Sequence, residues 1–587
     1  MMFAFLIRKY YYRLILDFVN IGRFHKEAAM KFLSLLSFYL LVFVVKSEAV
    51  QVSGYCFLEN QAYHSNTKVK FQANSPYAVT DSTYTGVTGY YTINLAQGGY
   101  NIYYIHEGYY TEELLSQFFI GTTTLPNVTL LTLGNQLHGY LRGTLTGDTT
   151  YFVNDHIYVD AGDSLTIEAG ATLIFEPGRV FEVNGYLHII GTADDSVRLI
   201  NSPDFSWHGL DFNDAADDSS KIEYCIIRGS GFNGIECVNS SPSIINCSIE
   251  NNSSPGIYCS NAHPNIVNCV ISRNTTFNGG GICCYNSHPT IEGCIISGNV
   301  VEMNGGGIYC YNSSSPSILN CIINANSAAS GGGIYCLENS SPFISYCEIS
   351  QNFSSNGGGG ISCVNSSPVI SNCTISNNSA PLPGGGGGIA LSISEAVITN
   401  SIITGNQGYY GVFFYNSTNV SISYSDFFDN QTGNFNNPPP GTGIITTTNA
   451  NGDSCDVFHN IFLDPLFYST TGDSAFYLTE NSPCIDAGDP NSPLDPDNTI
   501  ADMGAYYFDQ SPQPIQDLLI TISGENVVLQ WTPVTMAVSY NIYRSDTPNF
   551  DISGMTPIST TTATNFTDNN ALNEEGWFYK VTFVSEP

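Results

Sequence analysis

The sequence predicts an all-β protein: a right-handed parallel β-helix of about a dozen coils, flanked by two small β-sandwich domains. Three observations predict it. A motif recurs six times between Cys237 and Asn378 at about 25 residues per copy, inside the solenoid range. No helical apolar period appears anywhere in residues 150–430. On both sides of this region, short alternating runs broken by Gly and Asn replace the repeat, the pattern of antiparallel strands.

The chain begins with an address label. From Met30 it reads Lys31, then an apolar run of 14 residues from Phe32 to Val45, then the small-x-small site Ser47-Glu48-Ala49. That is the layout of a secretory signal peptide over residues 30–49, too short for a comfortable transmembrane helix. Translation is expected to start at Met30, which makes residues 1–29 a non-native upstream extension. The mature chain is expected to be secreted, extracellular or attached to the cell surface, with no membrane span.

Residues 50–132 read as the first sandwich. Lys68-Val69-Lys70-Phe71 and Gly89 to Leu95 alternate, and Gly98-Gly99 turns into a third alternating run, Tyr100 to Ile105. The β-helix is expected over 137–435. In each repeat a cysteine (Cys237, Cys259, Cys284, Cys310, Cys336, Cys363) leads to a turn and a proline (Pro242, Pro264, Pro289, Pro316, Pro342, Pro368). An isoleucine follows (Ile318, for example), then a second cysteine (Cys247, Cys269, Cys294, Cys321, Cys347, Cys373), another isoleucine, and an asparagine (Asn252, Asn274, Asn299, Asn326, Asn352, Asn378). Ile308 and Cys310 fall on one face of a strand, and Tyr309 and Tyr311 on the other. One repeat cannot bury its own apolar row, whereas coils stacked about 4.8 Å apart line like residues into internal ladders. The asparagine suits a left-handed corner, and stacked amides can hydrogen-bond along the ladder. Positions such as Leu319 and Ile322, occupied elsewhere by Ser345, Glu348 and Thr374, are expected to face water. A leucine-rich repeat shares the period but needs several leucines per copy, and residues 219–380 hold only Leu319 and Leu337. Residues 436–510 read as a closing segment, and 512–587 as the second sandwich, with strands around Val527 to Trp531, Tyr540 to Ser545 and Phe578 to Val581.

These motifs carry resemblances. Residues 50–132 resemble the carboxypeptidase regulatory-like domain, a transthyretin-type sandwich that is a non-catalytic accessory in its family. The Cys–Pro–Ile–Cys–Ile–Asn repeats resemble the right-handed β-helix of the pectin-lyase type. Their Gly-Gly-Gly-Ile and Ile-x-x-Asn pairing is also similar to repeats of polymorphic outer-membrane proteins. Asp464-Pro465-Leu466-Phe467, Ser482 to Gly488 and Asp502 to Tyr506 resemble the closing segment of secreted β-helix proteins. Residues 512–587 resemble a fibronectin type III domain.

Charge narrows the function. With 51 Asp and Glu against 17 Lys and Arg, the formal charge of −34 excludes a nucleic-acid partner, because phosphates need cations to displace their counterions. Only 12% of residues are charged, so Asn, Ser, Thr, Gly and 37 Tyr cover the surface. The resemblance to polysaccharide-cleaving β-helices raises an enzyme, but a lyase needs a basic residue and there is no Lys or Arg between Arg273 and Arg544. Inverting hydrolysis needs two facing carboxylates about 6.5–9.5 Å apart, and no Asp lies between Asp218 and Asp426 while Glu occurs about once per coil. The candidate catalytic residues are therefore His208, Asp211, Asp214 and Arg228 in the early coils. Candidate ligand-binding residues are Tyr285, Tyr309, Tyr311 and Tyr335 on the outward face. Asp486, Asp489, Asp495, Asp497 and Asp502 crowd one loop, where hard oxygen ligands suit Ca²⁺ without matching an EF-hand; no other cofactor is expected. His263 and His288 read as exposed turn residues. Of the 17 cysteines, 14 fall on or beside the two ladders, where packing competes with disulfide bonding. The leading expectation is a non-catalytic surface protein for adhesion or carbohydrate binding, with a glycan or cell-surface protein as partner. A polysaccharide-degrading lyase or glycoside hydrolase, and a structural cell-surface component, are the alternatives.

Overall fold

The computed structural model describes residues 49–585 except 60, 75–78, 110, 131–133, 204, 383–384, 473, 511–514, 516, 535–536, 553, 570 and 572–576. The signal expected at 30–49, apart from Ala49, and the stretch before it lie outside the described residues. The chain divides into two compact units, one up to Leu133 and one from Gly134 onward.

In the first unit, Val50–Leu58 pairs antiparallel with Tyr90–Leu95 and parallel with Thr123–Thr124 and Val128–Leu130. A second sheet runs in the order Asp81–Tyr84, Lys68–Ala73, Gly98–Ile105, Glu112–Phe119. Val52, Val69, Phe71, Tyr91, Tyr100 and Tyr104 form its core. The Tyr91 and Tyr104 hydroxyls meet at 2.7 Å, which satisfies two buried polar tips with each other.

The second unit is a parallel β-solenoid. One coil shows the rule: Ile308–Tyr311, Ser317–Leu319, Ile322–Asn324 and the short Ser327–Ala328 follow one another. Each pairs in register with its counterpart a coil later, as in Ile308↔Ile334, Ile318↔Ile344, Ile323↔Ile349 and Ser327↔Phe353. The Ser317–Leu319 column forms a 12-stranded sheet. Ile308, Cys310, Ile318 and Ile323 are completely buried, so the repeated apolar residues are the core ladders that the spacing predicts.

Three polar ladders close the corners. Asn326 donates its side-chain amide to Asn352 Oδ1 (3.1 Å) and to the Ile296 carbonyl (2.8 Å), and its backbone N–H also reaches Asn352 Oδ1 at 3.0 Å. This arrangement repeats along the asparagine column. These side chains are buried, and it is the residue before each that adopts the left-handed conformation, as at Asn251, Ala325, Gln351 and Asn377. That corrects the expected placement of the corner: the asparagine is kept for its amide, not for its φ. The second cysteine column is a hydrogen-bonding ladder too. Cys269 N–H donates to Cys294 Sγ at 3.4 Å, and the column continues with Ser401 Oγ accepting from Cys373 N–H at 3.2 Å. In the first column Cys363 is instead followed by Leu391 and Phe414, so packing selects there. A third ladder, invisible to the repeat analysis, links the buried serines Ser314, Ser340, Ser366 and Ser394 by N–H to Oγ bonds of 3.1–3.2 Å. All 17 cysteines are free. Burial pushes thiols such as Cys225 and Cys237 well up, which keeps them protonated and unreactive.

Ser345, Glu348 and Thr374 do not face water. The closing segment folds back over the late coils, where Tyr506 OH donates to Glu348 Oε2 at 3.1 Å and Ala505 N–H to Thr374 Oγ1 at 3.0 Å. Met503, Cys484 and Leu478 pack with Ile402 beneath it. Beyond it, Leu519–Ser523, Asn526–Gln530 and Asn565–Asp568 form one antiparallel sheet, and Ser559–Thr561, Ala537–Ser545 and Phe578–Ser585 another. Leu529, Trp531, Ile542 and Val581 fill the core of this end of the chain. No helix among the described residues is long and apolar enough to cross a membrane.

Candidate functional site

The outward face of the first strand column carries the site. The residue between the two interior side chains of each strand stacks in register from coil to coil: Tyr158, Glu182, Asp211, Glu236, Tyr258, Cys283, Tyr309, Tyr335. Its next outward position adds Tyr285 and Tyr311, also in register. The aromatic rings pack against one another, with centroids 5.6 Å apart for Tyr285 and Tyr311 and 5.7 Å for Tyr309 and Tyr335. A groove of about 410 Å³ runs along this face, lined by Tyr258, Tyr285, Tyr309, Tyr311, Asn233 and Asn278, with Pro255, Cys283 and Cys284 completing it.

The glycine runs explain how deep the tyrosines sit. Gly305, at φ +67°, turns the chain so closely over Tyr309 that a Cβ there would stand 2.8 Å from the tyrosine Cβ; Gly331 does the same over Tyr335 at 2.7 Å. Tyr309 and Tyr335 are consequently only 9% and 8% exposed, while Tyr285 is 38% exposed. Of the four predicted ligand-binding tyrosines, Tyr285, Tyr309 and Tyr311 line the groove; Tyr335 lies behind Tyr309 as packing.

At one end the aromatic column passes directly into three carboxylates. Asn233, on the groove wall, donates to Glu236 Oε2 at 2.9 Å, and Asn184 donates to Glu182 Oε1 at 2.7 Å. His208 Nε2 lies 3.4 Å from Asp211 Oδ2, and its ring stacks on Phe232 with centroids 4.3 Å apart. Burial, and then repulsion from Glu236 and Glu182, pushes the Asp211 carboxyl up to about 7. The structure therefore unites two of the predicted catalytic residues, His208 and Asp211, and adds Glu182 and Glu236. It separates the others. Asp214 stands exposed in the turn beyond the strand, and Arg228 is exposed in a different strand column, in register with Glu250.

The acidic loop is built differently from a cation cage. Asp502 accepts the Asp486 and Phe508 N–H groups at 2.7 and 2.6 Å. Asp495 accepts the Asp502 N–H at 2.7 Å, Asp497 the Thr499 N–H at 3.2 Å, and Asp489 the Asn491 N–H at 2.9 Å. The carboxylates thus hold the loop's backbone. Among the described residues no group of three or more His, Cys, Asp or Glu converges as a metal site. His263 and His288 stack with centroids 5.1 Å apart, and each Nδ1 accepts a backbone N–H, from His288 at 2.9 Å and Ser315 at 3.1 Å.

Burial raises Asp502 to about 7 and Asp495 to about 6. A carboxyl raised on folding binds its proton more tightly in the folded state. Its stabilisation is complete below the ordinary carboxylate range and is lost as pH rises through the raised value. Stability of the closing segment should therefore fall by about 2–4 kcal/mol between pH 4 and pH 8. Urea unfolding across that range checks it, and Asp502→Asn should flatten the slope.

The model of a "right handed beta helix region" matches residues 209–355 and 328–482. Among solved structures, the chain is similar to a crystal structure of pectate lyase Pel9A, with 12% identity and a TM-score of 0.27 over 58% of this chain and 88% of that one. No curated protein matches. The in-register coils, which run to Asp426–Phe428, and the matched repeats together make this part of the chain a right-handed parallel β-helix.

Proposed function

We propose that the protein is an extracellular carbohydrate-binding β-helix that holds a polysaccharide chain along the tyrosine-lined groove. One observation carries this reading: tyrosines fixed in register on a rigid sheet, with side-chain amides beside them, make a floor on which pyranose rings stack and hydroxyls find partners. The signal-peptide pattern at 30–49 supports the location. In calorimetric titration of the full chain with a panel of oligosaccharides, Tyr285→Ala and Tyr311→Ala should each weaken binding about tenfold, or about 1.4 kcal/mol. Unchanged affinity in both variants would remove the groove from consideration.

A second reading, glycoside hydrolysis, is favoured by Asp211, a carboxyl that retains its proton near neutral pH between two other carboxylates. New reducing ends from the same panel, lost in Asp211→Asn, would replace binding with turnover.

A further inference from the structure

We infer that the groove's ligand is a cationic glycan, a hexosamine chain bearing free amino groups, whose amines seat on Glu236 and Glu182, on either side of Asp211. The inference rests on the groove being a glycan site and adds the chemical class.

Three features lead there. First, the aromatic floor and the carboxylates are one continuous column: Tyr258 pairs in register with Glu236, Glu236 with Asp211, and Asp211 with Glu182. Coils advance about 4.8 Å, close to one sugar residue of an extended chain, so a glycan stacked on Tyr258 and Tyr285 passes its next residues over the acids. Asn233 touches both parts, lining the groove and donating to Glu236 at 2.9 Å.

Second, no lysine or arginine counters the acids. Among the described residues no Lys or Arg forms an ion pair with any of the three; the basic group at ion-pair distance is His208, 3.4 Å from Asp211. The sequence offers no Lys or Arg between Arg273 and Arg544 to supply one from later coils. Like charges directly opposite on adjacent strands destabilise a sheet, and the same column position is filled elsewhere by Tyr, Cys, Ser and Ala without loss of the coil. An ammonium group relieves that repulsion; a uronate would add to it. Third, the row does not converge as a metal site, whereas amines along an extended chain can meet carboxylates one after another.

The test is calorimetric titration of the full chain with three probes at mildly acidic pH: a glucosamine hexamer, its fully N-acetylated counterpart, and a galacturonate hexamer. The amino hexamer should bind at least about tenfold more tightly than the acetylated one, with affinity falling as salt rises, and the galacturonate hexamer should not bind. The double variant Glu182→Gln, Glu236→Gln should erase the preference for the amino hexamer over the acetylated one. Equal, Tyr285-dependent binding of the amino and acetylated probes would overturn the amine assignment while the groove stood. Binding of the galacturonate hexamer, or an undiminished preference for the amino hexamer in the double variant, would overturn it as well. Absence of binding by every probe would remove both readings.

Discussion

Asn352→Ala should lower the stability of the β-helix by about 3–5 kcal/mol, with the urea midpoint displaced to match. Asn352 Oδ1 accepts both the backbone and the side-chain N–H of Asn326, at 3.0 and 3.1 Å. Its own amide donates to the Ile323 carbonyl at 2.8 Å and to Asn378 Oδ1 at 3.0 Å. The residue is fully buried, so water cannot replace any of these bonds. Alanine strands the Asn326 N–H, takes one of the two donors from the Ile323 carbonyl and leaves the coils on either side without their shared link. In a solenoid each coil touches chiefly its neighbours, so the damage should concentrate there. Hydrogen exchange should lose protection around 323–330 and 349–356 before it does so in the first coils.

Gly332→Ala is expected to destabilise by about 2–3 kcal/mol, from crowding rather than lost bonds. A Cβ at Gly332 would stand 2.4 Å from the Phe353 carbonyl oxygen and 2.6 Å from that of Gly359. Both belong to the next coil's backbone, so neither can swing aside as a side chain would. The next coil must lift, loosening the Tyr335–Ser362 pairing behind the groove. Gly121→Ala, where a Cβ would meet nothing within 4 Å, serves as the control and should change stability little. Equal midpoints for the two variants would mean that the glycine run is not there for close approach.

The coil architecture was legible because register makes identity visible. A position that always faces the interior, such as that of Ile318 or Ile323, repeats its residue type at a fixed offset. The carboxylate row was less legible. Glu182 and Asp211 precede the cysteine-marked copies, where coil lengths vary and no repeat brings the two into line. The available signal was local: Phe181-Glu182-Val183, Leu210-Asp211-Phe212 and Ile235-Glu236-Cys237 each set an acid between two interior apolar residues. Arg228 and Asp214 looked near Asp211 in sequence, but a coil turns through several faces within so few residues. The covering of Glu348 and Thr374 left no periodic trace at all, because it depends on one non-repeating tail.

That tail sets the order in which the molecule can be completed. Thr374 waits for Ala505, 131 residues downstream, and Glu348 for Tyr506, 158 downstream. On the ribosome each coil can settle on its predecessor as it emerges, a short-range and rapid step, whereas the flank of the last coils stays bare until the chain is almost finished. The residues on that flank suit the wait. Where the same column remains open in the finished protein it shows Val270, Ile295 and Ile322; where it must await the tail it shows Glu348, Thr374 and Asp426, broken only by Ile402. Polar groups there keep the half-made intermediate in solution until its own last segment arrives to cover it.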